Sequence, residues 1–272
     1  MIRGTTRLAA VLGWPVTHSR SPQLMNAAFA HAGLDAVLVP IGVPPDDLPT
    51  AVAGLRASRI LGASVTIPHK LAVAALCDEL TTAARTIGAV NCLHLDDDRL
   101  VGHNTDEGGF TDGLTSAGFD LRGKRAILLG AGGAARAVAY GLRGGRAIEV
   151  VARTPSSVTW APAWPWTDEY LRDTFARADL VVDCTPIGLG DATAEETWTA
   201  SLPLDALRPS AWVATLVYHR RTRLLDLAAA RGHHVLDGRA MLVHQAARAF
   251  TIWTGVPAPV DVMAKALDDD LG

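Results

Sequence analysis

Residues 125–136 read RAILLGAGGAAR. The apolar start predicts a β-strand, the glycines predict a tight turn, and the alanine-rich end predicts the first turn of a helix. The turn has the G-x-G-x-x-A pattern of dinucleotide-binding folds, in which a pyrophosphate approaches backbone N–H groups at the helix N-terminus. Cofactor contacts are predicted from Gly130, Ala131, Gly132, Gly133 and Ala134. The alternative is a glycine turn with no ligand.

The next predicted strand, AIEVVA at 147–152, ends in Ala152, Arg153 and Thr154. An enzyme that uses NAD usually places an aspartate or glutamate about 20 residues beyond the glycines, where it binds the ribose 2′-hydroxyl. This strand end has no acid, and a guanidinium with a hydroxyl suits a 2′-phosphate. The sequence therefore predicts NADP as the cofactor, with a solvated loop arginine as the other interpretation of Arg153.

Short apolar runs alternate with helical patterns on both sides of this turn. Strands are predicted at 7–13, 35–41, 59–67, 89–95, 125–130, 147–152, 179–184 and 211–217. Helices are predicted between them and after Thr222 and Gly238. Because the strands are apolar on both faces, they predict an α/β fold with parallel sheets covered by helices. The stretch TPSSVTWAPAWPWT at 154–167 predicts a loop, since proline interrupts both helices and strands.

Length and composition limit the class of protein. The 272 residues predict two domains, with the change between Asn104 and Gly123. A hydrophobic content of 49% with 19% charged residues predicts a soluble globular protein. The net charge of −3 gives no electrostatic reason to expect a nucleic acid or a membrane as partner.

The cysteines and the amino-terminal residues indicate the compartment. Cys77, Cys92 and Cys184 are far apart and form no CxxC pair, which predicts reduced core residues and no metal site. The first residues match neither a secretory signal nor a spanning helix. A cytoplasmic protein is therefore expected.

The stretch GWPVTHSRSPQL at 13–24 is a candidate anion site. Ser21 precedes Pro22, which predicts Ser21 as a helix N-cap with the proline at the first helical position. On an extended segment, the hydroxyls of Ser19 and Ser21 face one way and Arg20 faces the other. Two hydroxyls beside a helix N-terminus predict a carboxylate site, and a plain N-cap at Ser21 is the alternative.

Further polar residues stand where predicted strands end. In GASVTIPHK at 62–70, Thr66 closes an apolar strand and Lys70 follows it. Asn91 follows another short apolar segment, and Asn104 and Asp106 stand two residues apart. In open parallel sheets such strand ends line the ligand crevice, although an isolated Asn or Asp there is often a turn former.

The predicted helix after Gly238 carries a glutamine among apolar residues. Met241 and Gln245 are one turn apart on one face of this helix. A buried glutamine needs a hydrogen-bond partner, since leaving its amide unpaired destabilises the fold. That partner is either backbone or a ligand, and the sequence favours neither.

A series of motifs makes the chain resemble the shikimate dehydrogenase family. They are GWPVTHSRSP, SVTIPHK, GAVN, NTD, GAGGAAR, ART, TPIG, VYHRRT and GRAMLVHQA, and they span almost the whole chain. The resemblance implies reversible, NADPH-dependent reduction of 3-dehydroshikimate to shikimate, a step toward the aromatic amino acids. It also implies an α/β substrate domain at 1–105, completed by helices at 239–272, and a Rossmann-type NADP-binding domain at 106–238.

The resemblance further implies roles for individual residues. Lys70 and Asp106 are the implied catalytic pair, and Ser19 and Ser21 are implied to bind the substrate carboxylate. The residues implied to hold the ring hydroxyls are Thr66, Lys70, Asn91, Asp106, Tyr218 and Gln245. Besides the glycine turn, the implied cofactor contacts are Ala152, Arg153, Thr154, Thr185, Leu216, Gly238 and Met241. The expected partner is the small-molecule substrate, with a monomer or a homodimer as the assembly.

Two kinds of alternative share these motifs. A quinate/shikimate or aminoshikimate dehydrogenase has the same fold, and the ligands around Ser19, Ser21 and Thr66 decide between them. A cofactor-binding sensor without turnover belongs to a different class. The presence of both Lys70 and Asp106 argues against that sensor.

Overall fold

The computed structural model describes residues 2–190 and 192–271. It divides the chain into two units: an N-terminal unit of residues 1–109 with 243–272, and a central unit of residues 110–242. Each boundary lies four residues later than the predicted domain limits at 105 and 238, so Asp106 belongs to the N-terminal unit. The chain passes between the units inside two helices, α4 and α9, whose bounds are given below.

The N-terminal unit contains a six-stranded sheet in the order β2-β1-β3-β5-β6-β4. Its strands are β1 Arg7–Gly13, β2 Ala36–Gly42, β3 Gly62–Val65, β4 Glu79–Leu80, β5 Cys92–Asp96 and β6 Arg99–His103. The helices that begin in its first segment are α1 Ser21–His31, α2 Leu48–Ala57, α3 Thr82–Ile87 and α4 Asp106–Ser116. Short 3₁₀ turns lie at Pro45–Asp47 and Ala72–Leu76.

The central unit contains a second six-stranded sheet in the order β12-β11-β10-β7-β8-β9. Its strands are β7 Arg125–Leu129, β8 Ala147–Ala152, β9 Ala163–Pro165, β10 Leu180–Asp183, β11 Trp212–Thr215 and β12 His234–Leu236. The remaining helices are α5 Gly133–Gly141, α6 Asp168–Arg177, α7 Ala192–Ala200, α8 Arg223–Ala230, α9 Gly238–Thr254 and α10 Val260–Leu271. Short 3₁₀ turns lie at Leu142–Gly144, Pro155–Ser157 and Leu204–Ala206.

The prediction of parallel sheets holds fully for the central unit only. All pairs in its sheet are parallel. In the N-terminal sheet, β5 runs antiparallel to both β3 and β6. The pair Asp96 and Arg99 closes a two-residue turn, in which Asp97 adopts a positive φ of 53°. An apolar strand pattern reports burial and not direction, so the sequence did not reveal this hairpin.

The prediction of a loop at 154–167 is partly wrong. Ala163–Pro165 forms a short edge strand beside β8, and Pro155–Ser157 forms a 3₁₀ turn. The Val150 N–H donates to the Pro162 carbonyl at 3.0 Å. Proline is tolerated on an edge strand because its missing N–H faces away from the ladder.

Helices cover the central sheet on both faces, and strand residues alternate between two cores. Ile127 and Leu129 pack in one apolar cluster with residues of α6 and α8. Ala126 and Leu128 pack in the other, with residues of α4 and α5. This alternation follows from the two-residue repeat of a strand. Burial of each of these leucines contributes roughly 1.5–3 kcal/mol, so the two cores stabilise the central sheet.

Candidate functional site

Four polar segments leave the N-terminal sheet at one edge. β1 and β3 are neighbouring parallel strands, so residues 19–21 and 66–70, which follow them, start at the same edge. β5 runs antiparallel to β3, which places Asn91, just before β5, at that edge too. β6 runs antiparallel to β5, so Asp106 follows the end of β6 there. Topology thus gathers polar residues that are far apart in the sequence.

Lys70 and Asp106 form an ion pair at this edge. Lys70 Nζ donates to Asp106 Oδ2 at 2.7 Å. The Asp106 side chain is 7% exposed, whereas that of Lys70 is 27% exposed. A buried carboxylate loses its hydration, so the ammonium beside it stabilises the charge. Lys70 keeps a solvent-facing side that a small molecule can reach.

Asn91 connects Asp106 to its neighbours. The Asn91 residue is 3% exposed, and its Nδ2 donates to Asp106 Oδ1 at 2.8 Å and to Thr105 Oγ1 at 3.0 Å. Its Oδ1 accepts the Thr105 backbone N–H at 2.7 Å. Nδ2 also lies 3.4 Å from Gln245 Oε1, so α9 reaches the same cluster. Asp106 is therefore held from two sides, by Asn91 and by Lys70.

Asn104 forms a turn, which was the alternative interpretation of this residue in the sequence analysis. Its Oδ1 accepts the Asp106 backbone N–H at 3.2 Å at the start of α4. Its Nδ2 donates to the Ala89 carbonyl at 3.0 Å. Asp106 is the first residue of α4, where the helix dipole favours a negative charge.

His69 anchors the loop that carries Lys70, and the sequence did not single it out. The residue is 1% exposed, and its Nε2 lies 2.7 Å from the Val43 carbonyl. Its backbone N–H donates to the Thr66 carbonyl at 2.9 Å, while the Thr66 N–H donates to the Leu12 carbonyl at 2.9 Å. Thr66 and Lys70 are thereby held at either end of a fixed turn. The sequence signal was a histidine next to the proline that ends the strand.

The serine segment departs from its predicted conformation. Ser21 is the first residue of α1, and the N-cap position is Arg20. Arg20 has φ −94° and ψ 0°, so the segment is not extended, and the prediction that the two hydroxyls share a face for that reason is wrong. Ser19 Oγ instead accepts the Ser21 backbone N–H at 3.4 Å. Helix initiation at Ser21 overrides the extended preference of a residue before proline.

In the central unit, the glycine turn after β7 leaves the start of α5 open. Gly130 has a φ of +97°, which glycine adopts without strain. Gly132 is the N-cap of α5, and no side chain caps the helix there. A Cβ added at Gly132 or Gly133 would meet nothing within 4 Å. Free N–H groups beside open space fit a pyrophosphate.

Arg136 is a further candidate for contact with phosphates. It lies in the first turn of α5, where its N–H donates to the Gly132 carbonyl at 3.1 Å. Among the residues that the structure describes, the Arg136 guanidinium has no hydrogen-bond or ion-pair partner. The sequence signal was an arginine four residues after Gly132, a placement that the glycine pattern does not require.

The end of β8 also fits an NADP site. Ala152 is buried, whereas Arg153 and Thr154 are exposed. Within the described residues, no side chain pairs with the Arg153 guanidinium. The Thr154 carbonyl accepts the Ser157 hydroxyl at 2.7 Å, which fixes the turn after the strand. The tip of β8 at residues 152–154 contains no acid, which fits a 2′-phosphate better than a ribose 2′-hydroxyl.

The other predicted cofactor residues follow neighbouring strands of the central sheet. Thr185 follows β10 and contacts the glycine turn, since a Cβ at Gly130 would lie 3.2 Å from its methyl group. Leu216 follows β11, and Gly238 lies against it so closely that an added Cβ would overlap the Leu216 carbonyl. Met241, the fourth residue of α9, packs against the apolar cluster that also contains residues of α5. Glycine at 238 is therefore required by close approach.

Tyr218 lies in the loop between β11 and α8. It is partly buried, and its ring centroid lies 6.0 Å from that of His219. It belongs to the central unit, whereas the other predicted substrate residues belong to the N-terminal unit. The glycine-turn residues also lie in the central unit.

Three buried acids of the central unit, Glu149, Asp183 and Glu195, were not singled out in the sequence predictions. Asp183 ends β10 and is 2% exposed, and burial raises its pKa to about 7. Glu195 in α7 is 4% exposed. The sequence signal for Asp183 was an acid at the end of the apolar run DLVVDC at 179–184. Glu195 gave no signal, since its partners are distant in sequence.

The chain matches family descriptions at both ends. Residues 11–93 match the shikimate dehydrogenase substrate binding domain, and residues 238–267 match the shikimate 5′-dehydrogenase C-terminal domain. The chain is 43% identical to shikimate dehydrogenase (NADP(+)) of Moorella thermoacetica, over 100% of this chain and 96% of that protein. The chain belongs to the shikimate dehydrogenase family. The resemblance drawn from the motifs is confirmed.

Solved structures of the shikimate dehydrogenase family share the fold. The shikimate 5-dehydrogenase of Thermus thermophilus, in complex with NADP(H) and shikimate, has a TM-score of 0.87 and 35% identity, covering 97% of this chain and 99% of that one. The quinate dehydrogenase of Corynebacterium glutamicum, in complex with NAD, has a TM-score of 0.84 and 28% identity, covering 97% and 99%. The predicted α/β class is confirmed.

Helices of membrane-spanning length and hydropathy are absent from the described residues. The same residues contain no cluster of histidine, cysteine and acid side chains suited to a metal ion.

Proposed function

We propose that the protein is an NADP-dependent shikimate dehydrogenase that interconverts 3-dehydroshikimate and shikimate in the synthesis of aromatic amino acids. The observation that carries the proposal is the Lys70–Asp106 ion pair, whose lysine is accessible and whose aspartate is fixed by Asn91. Family membership over the whole chain supports the same activity.

Lys70 is the proposed acid–base residue. Bound NADPH supplies the hydride that reduces the carbonyl carbon. Negative charge then develops on the carbonyl oxygen, and the Lys70 ammonium stabilises that charge and donates the proton. Asp106 Oδ2 accepts a hydrogen bond from Nζ, which keeps the ammonium aimed within the cluster. A lysine without such a partner samples many rotamers, which weakens a positioned proton transfer.

The remaining polar residues of the N-terminal unit are the proposed substrate ligands. Ser19 and Ser21, at the start of α1, bind the carboxylate, since hydroxyls and a helix N-terminus suit an anion. The proposed ligands of the ring hydroxyls are Thr66, Lys70, Asn91, Asp106, Tyr218 and Gln245. The N-terminal unit is thus the proposed substrate domain and the central unit the proposed cofactor domain.

The proposed NADP site is the edge of the central sheet where its strands end. The proposed contacts are Gly130, Ala131, Gly132, Gly133, Ala134, Ala152, Arg153, Thr154, Thr185, Leu216, Gly238 and Met241. To these we add Arg136, because its guanidinium stands at the open N-terminus of α5. A cytoplasmic location fits the three free cysteines, since a reducing compartment keeps thiols reduced.

Quinate is the second candidate substrate, because a quinate dehydrogenase shares the fold. Quinate has an extra hydroxyl on the carbon that bears the carboxylate. Two serines held close together at the start of α1, with Ser21 buried, leave little room for that group. Shikimate is therefore expected to be the better substrate.

One assay separates these functions. Absorbance of reduced nicotinamide is followed with shikimate and with quinate, each with NADP and with NAD. A higher kcat/KM with shikimate and NADP supports the proposal. An equal or higher value with quinate assigns the chain to the quinate subgroup, and turnover with neither substrate supports a cofactor-binding sensor.

A further inference from the structure

Glu195 is a buried acid that the proposed chemistry does not use. Its Oε1 accepts the Arg223 backbone N–H at 2.8 Å, and its Oε2 accepts a hydrogen bond from the Arg220 guanidinium. Burial by itself raises the pKa of Glu195, but these two donors outweigh it and lower the pKa below its usual value. Glu195 is therefore a carboxylate at neutral pH. The residue is 4% exposed, and its carboxylate accepts two hydrogen bonds.

One donor lies in a loop and the other is the first residue of the helix that follows this loop. We call residues 216–222, between β11 and α8, the Tyr218 loop. Its first part is fixed by the Gly238 N–H, which donates to the Val217 carbonyl at 2.9 Å. Its last residue, Thr222, caps α8 through its hydroxyl. Arg220, in the middle of the loop, and Arg223, just after it, bind Glu195.

The segment 184–190, which follows β10, approaches the same carboxylate at Gly188. Gly188 in that loop has a φ of +95°. A Cβ added there would lie 3.2 Å from Thr222 Cγ2, 3.5 Å from Val217 Cγ2 and 3.6 Å from Glu195 Oε1. The segments that follow the neighbouring strands β10 and β11 therefore both lie close to Glu195, a residue of α7.

We propose that Glu195 is a positioning residue that fixes the Tyr218 loop for substrate binding. The inference rests on the proposed role of Tyr218 as a substrate ligand. Tyr218 lies two residues before Arg220, so the ion pair limits how far its ring can move. Without that tether the loop samples more conformations, and substrate binding then has to order it.

The tether predicts a specific kinetic pattern. In Glu195→Gln, the amide oxygen still accepts the Arg223 N–H, but the charge that holds Arg220 is lost. Loss of a charge-assisted hydrogen bond is expected to raise the KM for shikimate about tenfold. Turnover is expected to fall by less than about threefold, since Lys70 and Asp106 are unchanged.

A matched set of variants tests this. Glu195→Gln and Arg220→Gln are expected to raise the KM for shikimate by a similar factor. Arg220→Lys, which keeps the positive charge, is expected to have a KM close to that of wild type. The double variant Glu195→Gln/Arg220→Gln is expected to have a KM no higher than that of either single variant. The control is Asp205→Asn, which breaks an exposed ion pair with Arg172 in the same unit and leaves KM unchanged. If Glu195→Gln does not fold, Arg220→Gln alone decides, since its side chain is 37% exposed.

Amide hydrogen exchange provides a readout independent of turnover. The peptide covering 216–222 is expected to exchange faster in Glu195→Gln than in wild type or Asp205→Asn. An unchanged KM in an active protein, or unchanged exchange of this loop, overturns the inference. If wild type does not oxidise shikimate, the proposed function is wrong, and faster exchange still supports the tether while unchanged exchange refutes it.

Discussion

Replacement of Asp183 by asparagine is expected to stabilise the central unit more as the pH rises. Asp183 Oδ1 accepts both the Thr185 backbone N–H at 2.9 Å and the Thr185 hydroxyl at 2.7 Å. The carbonyl oxygen of an asparagine accepts the same two hydrogen bonds. The substitution therefore removes a titratable group and keeps its geometry.

The size of the effect follows from the pKa. Burial raises the pKa of Asp183 from 3.8 to about 7, with a smaller contribution from the Glu195 carboxylate, against the hydrogen bonds from Thr185. Between these values the folded state holds a proton that the unfolded chain releases. The stabilisation from this proton is complete below pH 3.8 and is lost as the pH rises through about 7. At about 1.4 kcal/mol per pH unit, wild type loses about 3 kcal/mol between about pH 5 and about pH 7.

Denaturant unfolding at several pH values between about 5 and 8 measures this difference. Tryptophan fluorescence reports mainly on the central unit, which holds five of the seven tryptophans. The advantage of Asp183→Asn is expected to grow up to about pH 7 and then to level off. The control, Asp205→Asn, should differ from wild type by a constant amount, because the hydrogen bond from Arg172 lowers the pKa of Asp205. A constant difference for Asp183→Asn as well would refute the reasoning.

Four further outcomes are expected. Lys70→Ala should lower kcat at least about 100-fold while NADP still binds by fluorescence titration, and near-normal turnover would contradict its acid–base role. Arg153→Ala should weaken NADP binding about 10- to 100-fold and leave NAD binding nearly unchanged, whereas equal weakening of both would mean a structural role. Gly62→Ala should lower the free energy of unfolding by about 1–3 kcal/mol, because its Cβ would overlap the Trp253 indole. Gly54→Ala, whose Cβ meets nothing within 4 Å, should instead stabilise α2 by about 0.5–1 kcal/mol in thermal unfolding.

Features that depend on short-range chemistry could be predicted from the amino-acid sequence. The run from Arg125 to Arg136 contains its own strand, glycine turn and helix start, and the structure has β7 and α5 there. Eight of the strands lie at predicted apolar runs, since burial on both faces produces such runs, whereas β4, β6, β9 and β12 were not predicted. The lack of an acid beside Arg153 was visible in the sequence too, since the strand and its tip are continuous.

The contacts between distant polar side chains could not be predicted in this way, because they depend on how the strands and helices pack. Lys70 and Asp106 are 36 residues apart, and Asn91 and Gln245 are 154 apart. The antiparallel direction of β5 brings Asn91 to the edge that Lys70 occupies, and an apolar strand pattern carries no information on direction. The pairing of Glu195 with Arg220 likewise depends on long-range packing, because the Tyr218 loop lies close to α7. Local sequence determined the strand, turn and helix start from Arg125 to Arg136, whereas the partner of a buried charge is set by long-range packing.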